Sequence, residues 1–134
     1  MHGGIPSAEG VTLEEIKKVP RFSEPPEKGL MADLLWSDFV NEDGRHLSKR
    51  GVSYAAGPDV AAKFVENNNL QLIVRSHEMK EEGYELQKGG KAVTVFSAPN
   101  YCDQSGNKGA FIRFVAPEMK PVYTQFSASV ILTE

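Results

Sequence analysis

The sequence predicts an α/β fold of the α+β kind, a mixed sheet with helices on one face. Three observations carry that expectation. Leu70, Leu72, Ile73 and Val74 make an aliphatic run of the kind found in strands buried on both faces. A helix start, Gly57-Pro58-Asp59, stands upstream of it, so the two form an αβ unit. Four further strand-like runs follow.

Taken in order, residues 3–10 are rich in Gly, Pro and Ser and read as loop. His2-Gly3-Gly4 has the look of a tight, glycine-permitted turn carrying a ligand. Such a turn normally follows a strand, and here only Met1 precedes it. Thr12-Leu13-Glu14-Glu15 is a capping box that opens a short helix through about Val19, and Pro20 ends it. Residues 20–29 form a connector. Leu30, Met31, Leu34 and Leu35 give a helical apolar stripe through Trp36. Residues 41–49 are polar, with Asp43-Gly44 as a turn, and belong on the surface.

The helix begun at Gly57-Pro58-Asp59 has Val60, Ala61, Phe64 and Val65 on one face. It stops at Asn67-Asn68-Asn69, because Asn tolerates the left-handed conformation. The strand at 70–75 comes next. Residues 84–87 alternate, Lys88-Gly89-Gly90-Lys91 is a hairpin turn, and 92–98 form a second buried strand. Runs at 110–115 and 121–126 close as an antiparallel pair. Residues 127–134 carry no signal.

The chain of 134 residues is enough for one domain with a modest core. Its net charge of −3, with no more than two basic residues in a row, argues against a general nucleic-acid or membrane-surface role. No apolar run approaches the roughly 18 residues of a membrane span. The single Cys102 has no partner for an internal disulfide, so a reducing compartment, cytoplasmic or nuclear, is expected.

Chemistry collects at the ends of the expected elements. His2 opens the chain, Arg50 precedes a helix, His77 follows one buried strand, and Tyr101 follows another. Residues just past the carboxyl end of a strand are where open α/β sheets place ligands. Neutral imidazoles ligate first-row divalent metals. Arginine presents a fork of donors that matches phosphate oxygens. Each residue also has a plainer reading. His77 could end its strand with a hydrogen bond, Arg50 could be a solvated charge, and Tyr101 and Trp36 could be core. No cation adjoins Cys102 in the sequence, so it reads as an inert thiol.

Five motifs occur in order. They are His2-Gly3-Gly4, Asp33-Leu34-Leu35-Trp36-Ser37-Asp38, Arg50-Gly51-Val52-Ser53, Arg75-Ser76-His77-Glu78 and Ser97-Ala98-Pro99-Asn100-Tyr101-Cys102. Together they resemble the phosphoprotein phosphatase family of metal-dependent serine/threonine phosphatases. Ser48-Lys49-Arg50, Glu66-Asn67-Asn68-Asn69-Leu70 and Cys102-Asp103-Gln104 are most like its type 5 branch.

The resemblance implies a fold, a reaction and roles. The fold would be the C-terminal half of a metallophosphatase-type β-sandwich flanked by helices, with residues 1–134 as a partial catalytic domain. The reaction would be hydrolysis of phosphoserine and phosphothreonine esters in proteins by a hydroxide activated by two divalent ions, manganese or iron and zinc. His2 and His77 would ligate one metal, Arg50 would grip the substrate phosphate, and Tyr101 would lie near it. Trp36 and Cys102 would stand on the rim of the substrate cleft.

The departures from that pattern are as informative. Gly-Asp-x-His-Gly, Gly-Asp-x-x-Asp-Arg-Gly and Gly-Asn-His-Glu, which supply the remaining ligands and catalytic groups in the family, do not occur in the sequence. The expectation is therefore a C-terminal half whose partner is the missing N-terminal half, with at most a partial metal site and no activity alone. Phe39 stands where the family usually has proline. Ala56 stands where it has an aromatic, which would slacken packing beneath Arg50. The alternative is a non-catalytic, phosphatase-derived binding module. A coincidental anion site on an unrelated α/β domain fits the ordered motifs poorly.

Overall fold

The computed structural model describes residues 1–129, so the last five residues of the expected 1–134 domain lie outside it. The chain is mixed α/β with small sheets. Its elements are α1 (Leu13–Lys17), α2 (Leu30–Trp36), β1 (Asp38–Phe39), β2 (Arg45–Leu47), β3 (Tyr54–Ala56), α3 (Pro58–Asn67), β4 (Ile73–Arg75), β5 (Tyr84–Leu86), β6 (Ala92–Val95), β7 (Gly109–Arg113) and β8 (Val122–Phe126). A single 3-10 turn, Tyr101–Asp103, stands between β6 and β7. No described helix is long and apolar enough to cross a membrane.

The chain divides into two compact units. Among the described residues, the first comprises 1–77 and 86–93, the second 78–85 and 94–129. In the first unit, β1 runs parallel to β3 and β2 antiparallel to it, in the order β1-β3-β2. Its core gathers Ile5, Tyr54, Ala56, Val60, Ala61, Phe64, Val65, Ile73 and Ala92. The capping box of α1 is as expected, with Glu15 N–H donating to the Thr12 hydroxyl and Thr12 N–H to the Glu15 carboxylate. Helix α3 starts at Pro58, buries the expected apolar face and is followed by Asn69 at φ 51°.

In the second unit, β7 and β8 pair antiparallel from Gly109↔Phe126 to Arg113↔Val122. Phe96 N–H donates to Gly83 O, and Ala110 N–H to Phe96 O. Gly83 is needed there, since it has φ 77° and a Cβ would lie 2.6 Å from the Gly109 carbonyl carbon.

Several expectations are corrected. The first sheet was not legible, because its strands hold two or three residues, too few to display a period-2 pattern. The polar 41–49 stretch is exposed as expected, yet it contributes β2. Strand β4 is shorter than 70–75 and only Ile73 and Arg75 in it are fully buried. Strand β6 stops at Val95, and Ser97 and Ala98 are exposed. Helix α1 ends at Lys17 rather than at Val19.

Candidate functional site

His2-Gly3-Gly4 is held against the end of α2, and this explains its glycines better than a turn does. Gly3 N–H donates to Leu34 O at 2.9 Å. A Cβ on Gly3 would sit 2.6 Å from the Leu35 carbonyl carbon and 2.8 Å from Trp36 N. A Cβ on Gly4 would sit 2.7 Å from the Ser37 hydroxyl. The glycines therefore permit close approach, and neither has a positive φ. The segment also lies beside β4, where Met1 N donates to Val74 O and Ser76 N–H to His2 O.

That placement brings the two expected metal-ligating histidines together from the far ends of the unit. His77 Nδ1 and His2 Nε2 face each other at 2.8 Å, and the ring centroids are 4.7 Å apart. One nitrogen donates its proton to the other, the direction depending on tautomer. In the tautomer that carries the donor ring's proton on its other nitrogen, both facing nitrogens hold lone pairs directed into the same space. His77 adopts φ 68°, a left-handed conformation that histidine visits more readily than most residues and that strained functional loops retain. Burial lowers the His77 pKa to about 4, helped by the Arg50 charge and opposed by Asp38, with His2 and Arg75 lowering it further. The ring is thus neutral at pH 7, the form that ligates metals. Its Nε2 is buried without a hydrogen-bond partner among the described residues.

Trp36, at the end of α2, stands edge-on to His77 with centroids 5.6 Å apart and is over a third exposed. Arg50 lies close enough for its charge to act on His77. Arg50 Nε donates to Asp38 Oδ2 at 2.7 Å and Nη2 to Asp38 Oδ1 at 3.4 Å. Ala56, where the family has an aromatic, is fully buried in the core. Asp38 is what holds Arg50.

Sequence reasoning missed Asp38 and Arg75 as parts of this cluster. Arg75 is 1% exposed, and its Nη2 donates to Asp38 Oδ1 at 2.6 Å. Its signal was present in the sequence, a cation ending an otherwise aliphatic run. Phe39, the departure from proline, places its ring 5.7 Å from the Arg75 guanidinium carbon. Burial pushes the Asp38 carboxyl up, but hydrogen bonds and charge from the two arginines outweigh it and hold the pKa below the ordinary carboxylate value.

Tyr101 and Cys102 belong to the second unit. Tyr101 opens the 3-10 turn half-exposed, its ring edge-on to Phe96 at 5.0 Å. Cys102 is exposed at φ 56°. The buried Asn107 fixes this turn, its Oδ1 accepting from Tyr101 N–H and its Nδ2 donating to Ala98 O and Lys108 O. Asn100 and Asp103 also take positive φ, so the loop stores local strain as His77 does.

As a metal site the histidine pair fits in part. It offers two converging neutral nitrogens, whereas a catalytic zinc site uses three protein ligands. No group of three or more His, Cys, Asp or Glu gathers among the described residues.

The calcineurin-like phosphoesterase model matches residues 1–81. Serine/threonine-protein phosphatase 5 of Solanum lycopersicum is 60% identical over 128 residues, covering 96% of this chain and 23% of its own length. Serine/threonine-protein phosphatase 5 of Homo sapiens is 56% identical over 128 residues, covering 96% of this chain and 26% of its own. A solved protein serine/threonine phosphatase from Saccharomyces cerevisiae, with similarity to human phosphatase PP5, superposes with a TM-score of 0.87 at 38% identity. That match covers 98% of this chain and 44% of the yeast one. The chain thus spans about a quarter of the length of the curated relatives it matches.

Proposed function

Because the chain belongs to the calcineurin-like phosphoesterase family, we propose that it carries the C-terminal half of the catalytic domain of a metal-dependent protein serine/threonine phosphatase. The observation that carries the reading is the convergence of His2 Nε2 and His77 Nδ1 to 2.8 Å, within reach of the Arg50 charge. Three segments distant in sequence thereby bring two imidazole nitrogens within reach of a guanidinium, the parts that metal and phosphate binding would use.

Each residue's part follows from its chemistry. His2 Nε2 and His77 Nδ1 would hold one divalent ion as two of its ligands. Manganese, or iron with zinc, is the proposed metal. Divalent ions in such a centre activate water and neutralise charge on the phosphoryl group. Arg50 binds the phosphate of a phosphoserine or phosphothreonine side chain, with Asp38 fixing its guanidinium plane. Tyr101 is proposed as a hydroxyl donor to phosphate, and Trp36 and Cys102 as substrate-rim residues, each within its own unit. The proposed partners are phosphorylated proteins, and the proposed compartment is cytoplasmic or nuclear, resting on the one unpaired thiol.

A second reading, a non-catalytic module that binds phosphorylated partners, is favoured by the incomplete ligand set among the described residues. One experiment separates the two. This chain is put in place of the matching 128 residues of the tomato relative, and hydrolysis of a phosphoserine peptide is followed with manganese. The phosphatase reading expects turnover. Arg50→Ala should lower it by about 10²–10³, the usual loss for one preorganised donor. Tyr101→Phe should be milder. Lys80→Ala, which loses ion pairs to Glu85 at 3.1 Å and Glu78 at 3.8 Å and none to the proposed ligands or to Arg50, should be near neutral. Binding without turnover would favour the module.

A further inference from the structure

Arg75 is the most deeply buried charged residue of the first unit. Its acceptors include Gly3 O at 2.9 Å from Nε, Ser76 O at 2.6 Å from Nη1, and Ser37 O at 3.2 Å from Nη2. Asp38 supplies the countercharge at 2.6 Å. Gly3 follows His2 and Ser76 precedes His77. One planar group therefore spans the backbone beside both histidines and ties them to the end of α2.

We infer that Arg75 is a positioning residue for the metal-holding pair, its guanidinium setting the two histidine-bearing segments so that their ring nitrogens converge. The inference rests on the reading of His2 and His77 as metal ligands. A buried ion pair adds little stability over apolar side chains of similar volume, so stability alone does not call for an arginine here. The neighbours Leu72, Ile73 and Val74 show what the strand otherwise uses. What arginine offers and an aliphatic residue does not is a rigid fork of five donors, with directions fixed relative to one another. Lysine carries the same charge without that fork.

Groups behind a metal's ligands orient them, and altering such groups typically weakens metal affinity by about 10–100-fold. In the tomato chimera, Arg75→Lys keeps a cation beside Asp38 and so leaves Arg50 its partner. Manganese is titrated and its free ion followed by electron paramagnetic resonance, which reads affinity without turnover. The expected result is a loss of affinity by about 10–100-fold, with the fold retained by circular dichroism. At saturating manganese the KM for the phosphopeptide should stay at its wild-type value. Arg75→Gln, which keeps one donor group and no charge, should lose at least as much affinity.

Wild-type manganese affinity in a folded Arg75→Lys chimera overturns the inference. Loss of the fold in both variants also overturns it, by assigning Arg75 to the fold instead of the site. His77→Ala in the same titration distinguishes two failures. If it binds manganese like the wild type, the reading of His77 as a ligand falls. If it loses the ion while Arg75→Lys keeps it, only the role of Arg75 falls.

Discussion

Asp38→Asn reaches the centre of the cluster with the smallest change of shape. The carboxylate is 4% exposed and accepts from Arg50 Nε at 2.7 Å and Arg75 Nη2 at 2.6 Å. Asparagine keeps one oxygen but turns N–H groups toward a guanidinium. Removing one partner of a buried pair costs about 3–5 kcal/mol. Arg75 keeps its three carbonyl acceptors, which puts the expected cost near the lower end, about 3 kcal/mol. At 1.36 kcal/mol per decade, that is roughly 10² in a local opening equilibrium. Hydrogen exchange reads it at Gly3 N–H and Ser76 N–H, the two backbone donors that tie down the His2 segment. At pH 7 the variant should exchange there about 10² faster in the chimera. The effect should also depend on pH. The folded Asp38 pKa is depressed, so its stabilisation is present above the unfolded value of about 3.9 and is lost as pH falls through the folded value. The gap between wild type and variant should therefore close in acid. A gap that stays constant from pH 7 into acid, or exchange at pH 7 equal to wild type, would refute the reasoning.

Two further outcomes are expected. Gly3→Ala forces a Cβ to within 2.6 Å of the Leu35 carbonyl, so the backbone must shift; a destabilisation of about 1–3 kcal/mol should show in thermal melting, with manganese affinity falling alongside. Asn107→Ala removes the acceptor of Tyr101 N–H and the donor to Ala98 O; exchange in residues 100–106 should rise by the equivalent of about 1–3 kcal/mol, while exchange in residues 1–4 stays at wild type.

The helices were legible because each carries its own local signals. Thr12 and Glu15 announce α1, and Pro58 with the Val60, Ala61, Phe64 and Val65 face announces α3. The hairpin glycines, Gly89 and Gly90, both take the positive φ that their position suggested. Strands β1, β2 and β3 were not legible, because their pairing is a tertiary fact and each is too short for a pattern. At the site, the residue types at His2, Arg50 and His77 and the order of the motifs pointed to metal and phosphate chemistry. The support beneath them was hidden. Asp38 and Arg75 act through contacts 37 positions apart in sequence, and no local pattern reports such a contact. The glycines beside His2 were read as a turn because spacing cannot tell a turn from a close approach to a helix end.

The shared ion is the claim that most needs a direct look. Crystals of the zinc-loaded chimera, measured on both sides of the zinc absorption edge, locate the metal by its anomalous signal. The account predicts a peak about 2.1 Å from both His2 Nε2 and His77 Nδ1, the usual zinc–imidazole distance. A zinc ion bound through His77 Nε2, or a metal centre touching neither ring, would contradict it.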